Sequence, residues 1–339
     1  MRWIITLLLA TSLAAAGCLG GEVGENTEAD ASAAGAILPD LSDVEEPALD
    51  VDRLAAWHAD FVTTHVKRDT GSPTNTEASD QLLAEFDELG WETEFITYLP
   101  TGIELEEDSG YGINVVIATK PGTVQPDHAI AWVSHYDTEE KTIQGAYDDG
   151  SGVAMGMELA RELDGYENRK TLKAIFFDSE EMGLVASDYF VNNEVQGDTE
   201  ITWDLVIGHD MVGINCPGHE WKMYQMLGEN FEQELRPYQE ALYYEKLGYD
   251  ESCVKIWPEH IRNSDERRFK EVGIPIIRMA GGLNASDYPQ YHMPQDTVDY
   301  IHDFVGGEEN WKAGLRTVLE GSYWNVVVFD RIDSLVAPS

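Results

Sequence analysis

An α/β fold, with a mixed, mostly parallel central sheet and helices on both faces, is what this sequence predicts, on three observations. Helical and strand-like hydrophobic periods alternate along most of its 339 residues. A short apolar run, Thr171 to Phe177 (TLKAIFF), has the β-branched and aromatic character of a strand buried on both faces, and it ends abruptly in Asp178, Ser179, Glu180 and Glu181. Hydrophobic residues make up 43% of the chain, with 9 Trp, 15 Tyr and 10 Phe, enough for the core of one large domain.

The elements follow in order. Residues 1–17 read as a signal peptide: Arg2, an apolar stretch from Trp3 to Leu9, then the small residues Ala14, Ala15, Ala16 and Gly17. Cys18 follows at once, the place of a lipidated cysteine in an exported lipoprotein. The leader is shorter than the roughly 20 apolar residues of a membrane span. Between Leu19 and Asp50 stand 9 acidic residues and no basic one, so 18–50 is expected to be an anchor and flexible acidic tether, with the ordered domain at 51–339. Leu54, Trp57, Phe61 and Val62 predict a first helix. After RDTGSP (residues 68–73), Thr74 and Glu77 suggest a capping box for a second helix, with Leu82, Leu83, Phe86 and Leu89 as its stripe and Gly90 as its stop. Strands are expected at 91–98, 113–119, 130–133, 171–177, 204–207 and 274–279, and helices at 151–163, 184–191, 229–244 and 309–328.

Lys and Arg total 22 against 63 Asp and Glu, a net charge of −41. That excludes nucleic acid and an anionic membrane surface as direct electrostatic partners, and it fits a saline habitat in which salt screens self-repulsion. Cys216 and Cys253 are the remaining cysteines, and export would permit their pairing.

Candidate metal ligands stand at successive strand ends and loops. Strand 130–133 runs into SHYDT with His135 and Asp137, and GAYDDGSG carries Asp148 and Asp149 into a helix. FFDSEEMG carries Glu180 and Glu181, GHDMVG carries Asp210, and YHMPQDT carries His292. Adjacent glutamates repel unless a cation holds them or one is protonated; a metal with one as ligand and the other as proton carrier satisfies both. Histidine mixed with carboxylate suits zinc better than calcium or magnesium.

This ordered series, with NSDERRF at 263–269, resembles the co-catalytic di-zinc aminopeptidases of clan MH, peptidase family twenty-eight, over nearly the whole of 51–329. The resemblance implies a zinc-peptidase, phosphorylase/hydrolase-like fold, two Zn²⁺ per chain, and peptide substrates. It makes Asp148 the carboxylate shared by both ions, with His135 and Asp210 completing one shell and Glu181 and His292 the other. Glu180 would be the general base, Asp137 would orient His135, and Tyr291 is a candidate donor to the oxyanion. Glu266 stands where relatives usually have the histidine of SDH, which leaves that segment's part in the substrate pocket open. On this reading two cations sharing Asp148 activate a bridging water, Glu180 relays its proton to the departing amine, and N-terminal residues are removed. Carboxypeptidase-type relatives, single-zinc glutaminyl cyclases and a non-catalytic metal- or peptide-binding lipoprotein are the alternatives.

Overall fold

The computed structural model describes residues 38–99, 112–198, 200–214, 223–259, 263–281, 288–333 and 335. Its strands are β1 (Glu92–Tyr98), β2 (Ile113–Lys120), β3 (Gln125–His135), β4 (Lys170–Phe177), β5 (Thr202–His209), β6 (Met223–Gly228), β7 (Val254–Glu259) and β8 (Ile276–Ala280). They form one eight-stranded sheet in the order β1-β2-β4-β3-β5-β8-β6-β7. β4, β3, β5 and β8 are mutually parallel, whereas β1, β2 and β6 pair antiparallel with their inner neighbours.

The helices are α1 (Val51–Thr64), α2 (Pro73–Glu88), α3 (Gly150–Glu162), α4 (Val185–Phe190), α5 (Glu232–Glu240), α6 (Glu266–Glu271), α7 (Val298–Val305) and α8 (Glu308–Arg331). Strand alternation divides the apolar residues between two cores. Ile130 and Trp132 of β3 and Phe176 of β4 join the core packed by α1, α2, α3 and α8, while Ala131, Val133, Ile175 and Phe177 join the one packed by α4 and α6. That double burial explains why β3 and β4 read as continuous apolar runs. The sheet is therefore mixed and covered on both faces, as the sequence predicts.

Several expectations need correction. Ser72 caps α2, accepting from the Asn75 amide with Pro73 in the first turn; Thr74 and Glu77 do not form the capping box. Proline's fixed φ and missing N–H suit that first turn, which shifts the cap two residues back. Within the expected stripe of α2, Leu82 and Phe86 are buried but Leu83 and Leu89 only partly. α4 and α5 are shorter than expected because each continues as a π-helical turn, Val191–Val195 and Ala241–Lys246. Strands β6 and β7 and helices α6 and α7 were not anticipated.

Order also begins before Val51. Leu49 is buried, Leu38, Leu41 and Val44 pack against the larger core, and Arg331 pairs with Asp43 at 2.6 Å. The expected leader, Cys18 and the first part of the tether lie outside the described residues. Cys253 is disulfide-bonded; Cys216 also lies outside the described residues. Among the described residues, no helix is long and apolar enough to cross a membrane.

Candidate metal centre

The parallel strands β3, β4, β5 and β8 empty at one edge of the sheet, where open α/β folds place their ligands. His135 is the last residue of β3, Glu180 and Glu181 follow β4, and Asp210 follows β5. Asp148 and Asp149 open α3, with Asp149 capping it through the Gly152 amide at 2.9 Å. His292 comes from the segment before α7, in the left-handed region at φ 55°.

These side chains converge. His135 Nε2 lies 3.3 Å from Asp148 Oδ1, and His292 Nε2 lies 3.2 Å from Asp148 Oδ2 and 3.1 Å from Glu181 Oε2. Two groups could each hold an ion, His135 with Asp148 and Asp210, and Asp148 with Glu181 and His292; within each, the ligand atoms lie within 4.8 Å of one another. Asp148 belongs to both. Asp210 Oδ1 is buried without a hydrogen-bond partner, which a folded protein tolerates where a cation takes the lone pairs. Imidazole and carboxylate in this mixture fit zinc.

Each group is braced from behind. Asp137, fully buried, accepts from His135 Nδ1 at 3.2 Å and from the backbone amides of Glu180 and Glu181 at 3.1 and 3.2 Å. One carboxylate thus fixes the imidazole and the paired glutamates together. Asp149 accepts from the His135 and Met211 amides at 3.3 and 3.1 Å, tying the ends of β3 and β5 to the start of α3. Asp296 accepts from the Tyr147 and Asp148 amides at 2.9 and 3.0 Å and from the Tyr288 hydroxyl at 2.8 Å. Arg278 Nη2 donates to Asp210 Oδ2 at 2.8 Å, leaving Oδ1 to face the cluster. Arg68, from RDTGSP, donates to the carbonyls of Tyr136, Gln144 and Gly145, so the loops carrying His135 and Asp148 share one buried cation.

The electrostatics match a site built around cations. Burial pushes Glu180 well above the usual carboxylate range; His135 opposes this, and Asp265, Asp210 and Glu181 add to it. Burial and then the Asp148 charge raise Glu181 to about 7. Burial would lower His292, but its bonds to Asp148 and Glu181 win and lift it to about 10. Protons and divalent cations compete for these same lone pairs.

Asp148, Glu180, Glu181, Asp210 and His292 line a cleft of about 770 Å³, whose walls also include Met211, Met226, Trp257, Tyr291, Arg267 and Arg268. The Tyr291 ring stacks on His292, centroids 3.7 Å apart. Glu266 does not line the cleft. It is buried, accepts from Ser264 Oγ at 2.7 Å, and lies 3.8 Å from Arg278 Nε, completing an ionic chain to Asp210. Gly208 makes room for it, since a Cβ there would be 2.5 Å from Glu266 Oε2.

The family model described as Peptidase family M28 matches residues 114–314, more than half of the chain and every residue of the cluster. The chain belongs to peptidase family M28. Aminopeptidase YwaD of Bacillus subtilis is 26% identical over 196 residues, 56% of this chain. The chain spans only 22% to 40% of the length of the curated relatives it matches first. BSAP, a zinc aminopeptidase from Bacillus subtilis, superposes with a TM-score of 0.65 at 16% identity, covering 83% of this chain and 96% of that one. Porphyromonas gingivalis glutaminyl cyclase superposes with a TM-score of 0.64 at 19% identity, covering 82% and 99%. At these identities the superpositions establish the fold alone.

Within this M28 chain, all seven residues singled out from the sequence, His135, Asp137, Asp148, Glu180, Glu181, Asp210 and His292, meet at one place. Sequence reasoning missed Asp296, Arg278 and Arg68. A lone arginine inside the buried strand IIRMA was a usable signal, because such a charge must find an anion.

Proposed function

We propose that this chain is a zinc-dependent exopeptidase, an aminopeptidase that removes N-terminal residues from peptides. The observation that carries the reading is the pair of ligand groups meeting at Asp148, with Glu180 beside them in the cleft. His135, Asp148 and Asp210 would hold one ion, and Asp148, Glu181 and His292 the other. Zinc bound there supplies Lewis acidity, polarising the scissile carbonyl and lowering the pKa of the attacking water.

The chain's own residues do the rest. Glu180 takes a proton from the water and passes it to the departing amine, a task suited to a carboxylate whose pKa burial has raised. Asp137 keeps the His135 ring in register and holds the amides of Glu180 and Glu181, so base and ligand cannot drift apart. The carboxylate-rich end of the cleft attracts a free α-ammonium group, which favours amino- over carboxypeptidase action.

Aminoacyl chromogenic substrates, N-blocked peptides and peptides free only at the C-terminus, assayed side by side, test this. Hydrolysis confined to substrates with a free N-terminus is expected. Equal turnover of N-blocked peptides, or cyclisation of N-terminal glutamine as the main reaction, would contradict it. The second ligand group, Asp148 with Glu181 and His292, weighs against a cyclase built for one zinc.

We also propose export, with a lipid anchor on Cys18, from the leader at 1–17. Mass spectrometry of the mature N-terminus should find a modified Cys18, and an intact Met1 would refute it.

A further inference from the structure

The cleft has a second charged region, of opposite sign. Outside the metal cluster, every charged side chain lining it among the described residues is an arginine: Arg267, Arg268 and Arg278. That selection runs against composition, since the chain has 63 acidic residues for 22 basic ones. Arg278 is committed to Asp210 and Glu266. Arg267 and Arg268 are neighbours on α6, partly exposed at 35% and 22% of their side chains.

Glu271, one turn on, braces both: Arg267 Nε donates to it at 2.7 Å and Arg268 Nη1 at 3.0 Å, with Asp188 3.5 Å from Arg268 Nε. Glu271 and Asp188 are themselves 40% and 45% exposed and do not line the cleft, whereas both arginines do. Fixed, planar guanidinium groups beside a partly apolar wall are suited to carboxylate recognition. Met226, Trp257 and Tyr291 supply apolar wall in the same cleft.

Resting on the peptidase reading above, the geometry points to a substrate carboxylate, held by Arg267 and Arg268 while the metal cluster takes the reacting end. An N-terminal glutamate meets this through its side chain, its methylenes against the apolar wall. A short peptide meets it through its C-terminal carboxylate.

The test compares kcat/KM for glutamyl and leucyl p-nitroanilides, which have no C-terminal carboxylate, and for Leu-Ala and Leu-Ala-amide. Side-chain recognition gives glutamyl over leucyl by roughly tenfold or more; C-terminal recognition gives the free dipeptide over its amide by a similar ratio. In either arm the Arg267→Met, Arg268→Met double variant should lose most of the ratio, and Arg268→Lys should keep part of it. Calorimetric titration of the zinc-loaded protein with free glutamate and free leucine reads the same contact without turnover. Tighter glutamate binding that the double variant abolishes supports the carboxylate site even if no substrate is cleaved, an outcome that would sink only the peptidase reading. Leucyl and amide substrates both cleaved as well as their charged counterparts by the wild type, or a glutamyl or free-dipeptide preference that the double variant keeps in full, would overturn the proposal.

Discussion

On one side of Asp148 stand His135 and Asp210, both buried, and on the other Glu181 and a His292 whose side chain is 35% exposed. The side chains of the buried pair are each held by a charged partner, Asp137 for His135 and Arg278 for Asp210. The outer pair has less behind it: Glu181 is fixed through its backbone amide, and His292 rests on a left-handed backbone and the Tyr291 ring. The difference teaches that one half of the centre is preformed by the sheet, whereas the other is finished by a loop that faces the cleft. Glu180 belongs to neither half, which frees it to move a proton.

The largest effect should come from that residue. Glu180→Gln keeps the shape but cannot accept a proton, so turnover of a good aminoacyl substrate should fall by roughly 10²- to 10⁴-fold with the fold unchanged. Asp296→Asn comes next. It turns an acceptor oxygen into a donor facing the Tyr147 and Asp148 amides, and because Asp148 serves both halves, affinity at both should weaken by about 10- to 100-fold in a zinc titration. A loss confined to one half would break the comparison. Slow removal by a chelator should sharpen it: two phases are expected, the faster belonging to the His292 side, and His292→Ala should eliminate the fast phase. A single phase would mean the two halves are equally held.

Much of this centre was legible because its ligands sit where strands end, inside short runs such as SHYDT and FFDSEEMG that carry both the strand and the charge. The bracing was not, since it depends on distant chain: Asp296 reaches the Tyr147 amide across 149 residues, and Arg278 reaches Asp210 across 68. Local pattern does not say which way such a side chain turns. Strand β6 and the edge strand β7 are hard to read because MYQMLG and VKIWPE interrupt their apolar residues with polar, glycine or proline residues and lack the continuous apolar runs of β3 and β4. Glu266, which stands where relatives usually have a histidine, is a buried counter-ion to the Arg278 that holds Asp210, a role no motif announces.

The smallest effect expected concerns the support beneath the shared ligand. His58 Nε2 donates to the Ala146 carbonyl at 2.6 Å, two residues before Asp148. Burial, against that hydrogen bond, pushes its pKa down from 6.5 to about 4. Below 6.5 the unfolded imidazole takes up a proton that the folded one refuses. The stability this group contributes is therefore full above pH 6.5 and lost as pH falls towards 4, up to about 3 kcal/mol. Melting curves of wild type and His58→Gln across that range should diverge, the variant having the shallower pH dependence. Parallel curves would show that His58 carries no such linkage.

The measurement that bears most directly on two ions sharing Asp148, with a base that is not a ligand, is zinc content per chain in Glu180→Gln beside Glu181→Ala. The account predicts two zincs in Glu180→Gln and loss from the outer half in Glu181→Ala. If Glu180→Gln lost zinc as readily as Glu181→Ala, or if Glu181→Ala kept both ions, the division between ligand and proton carrier would be contradicted.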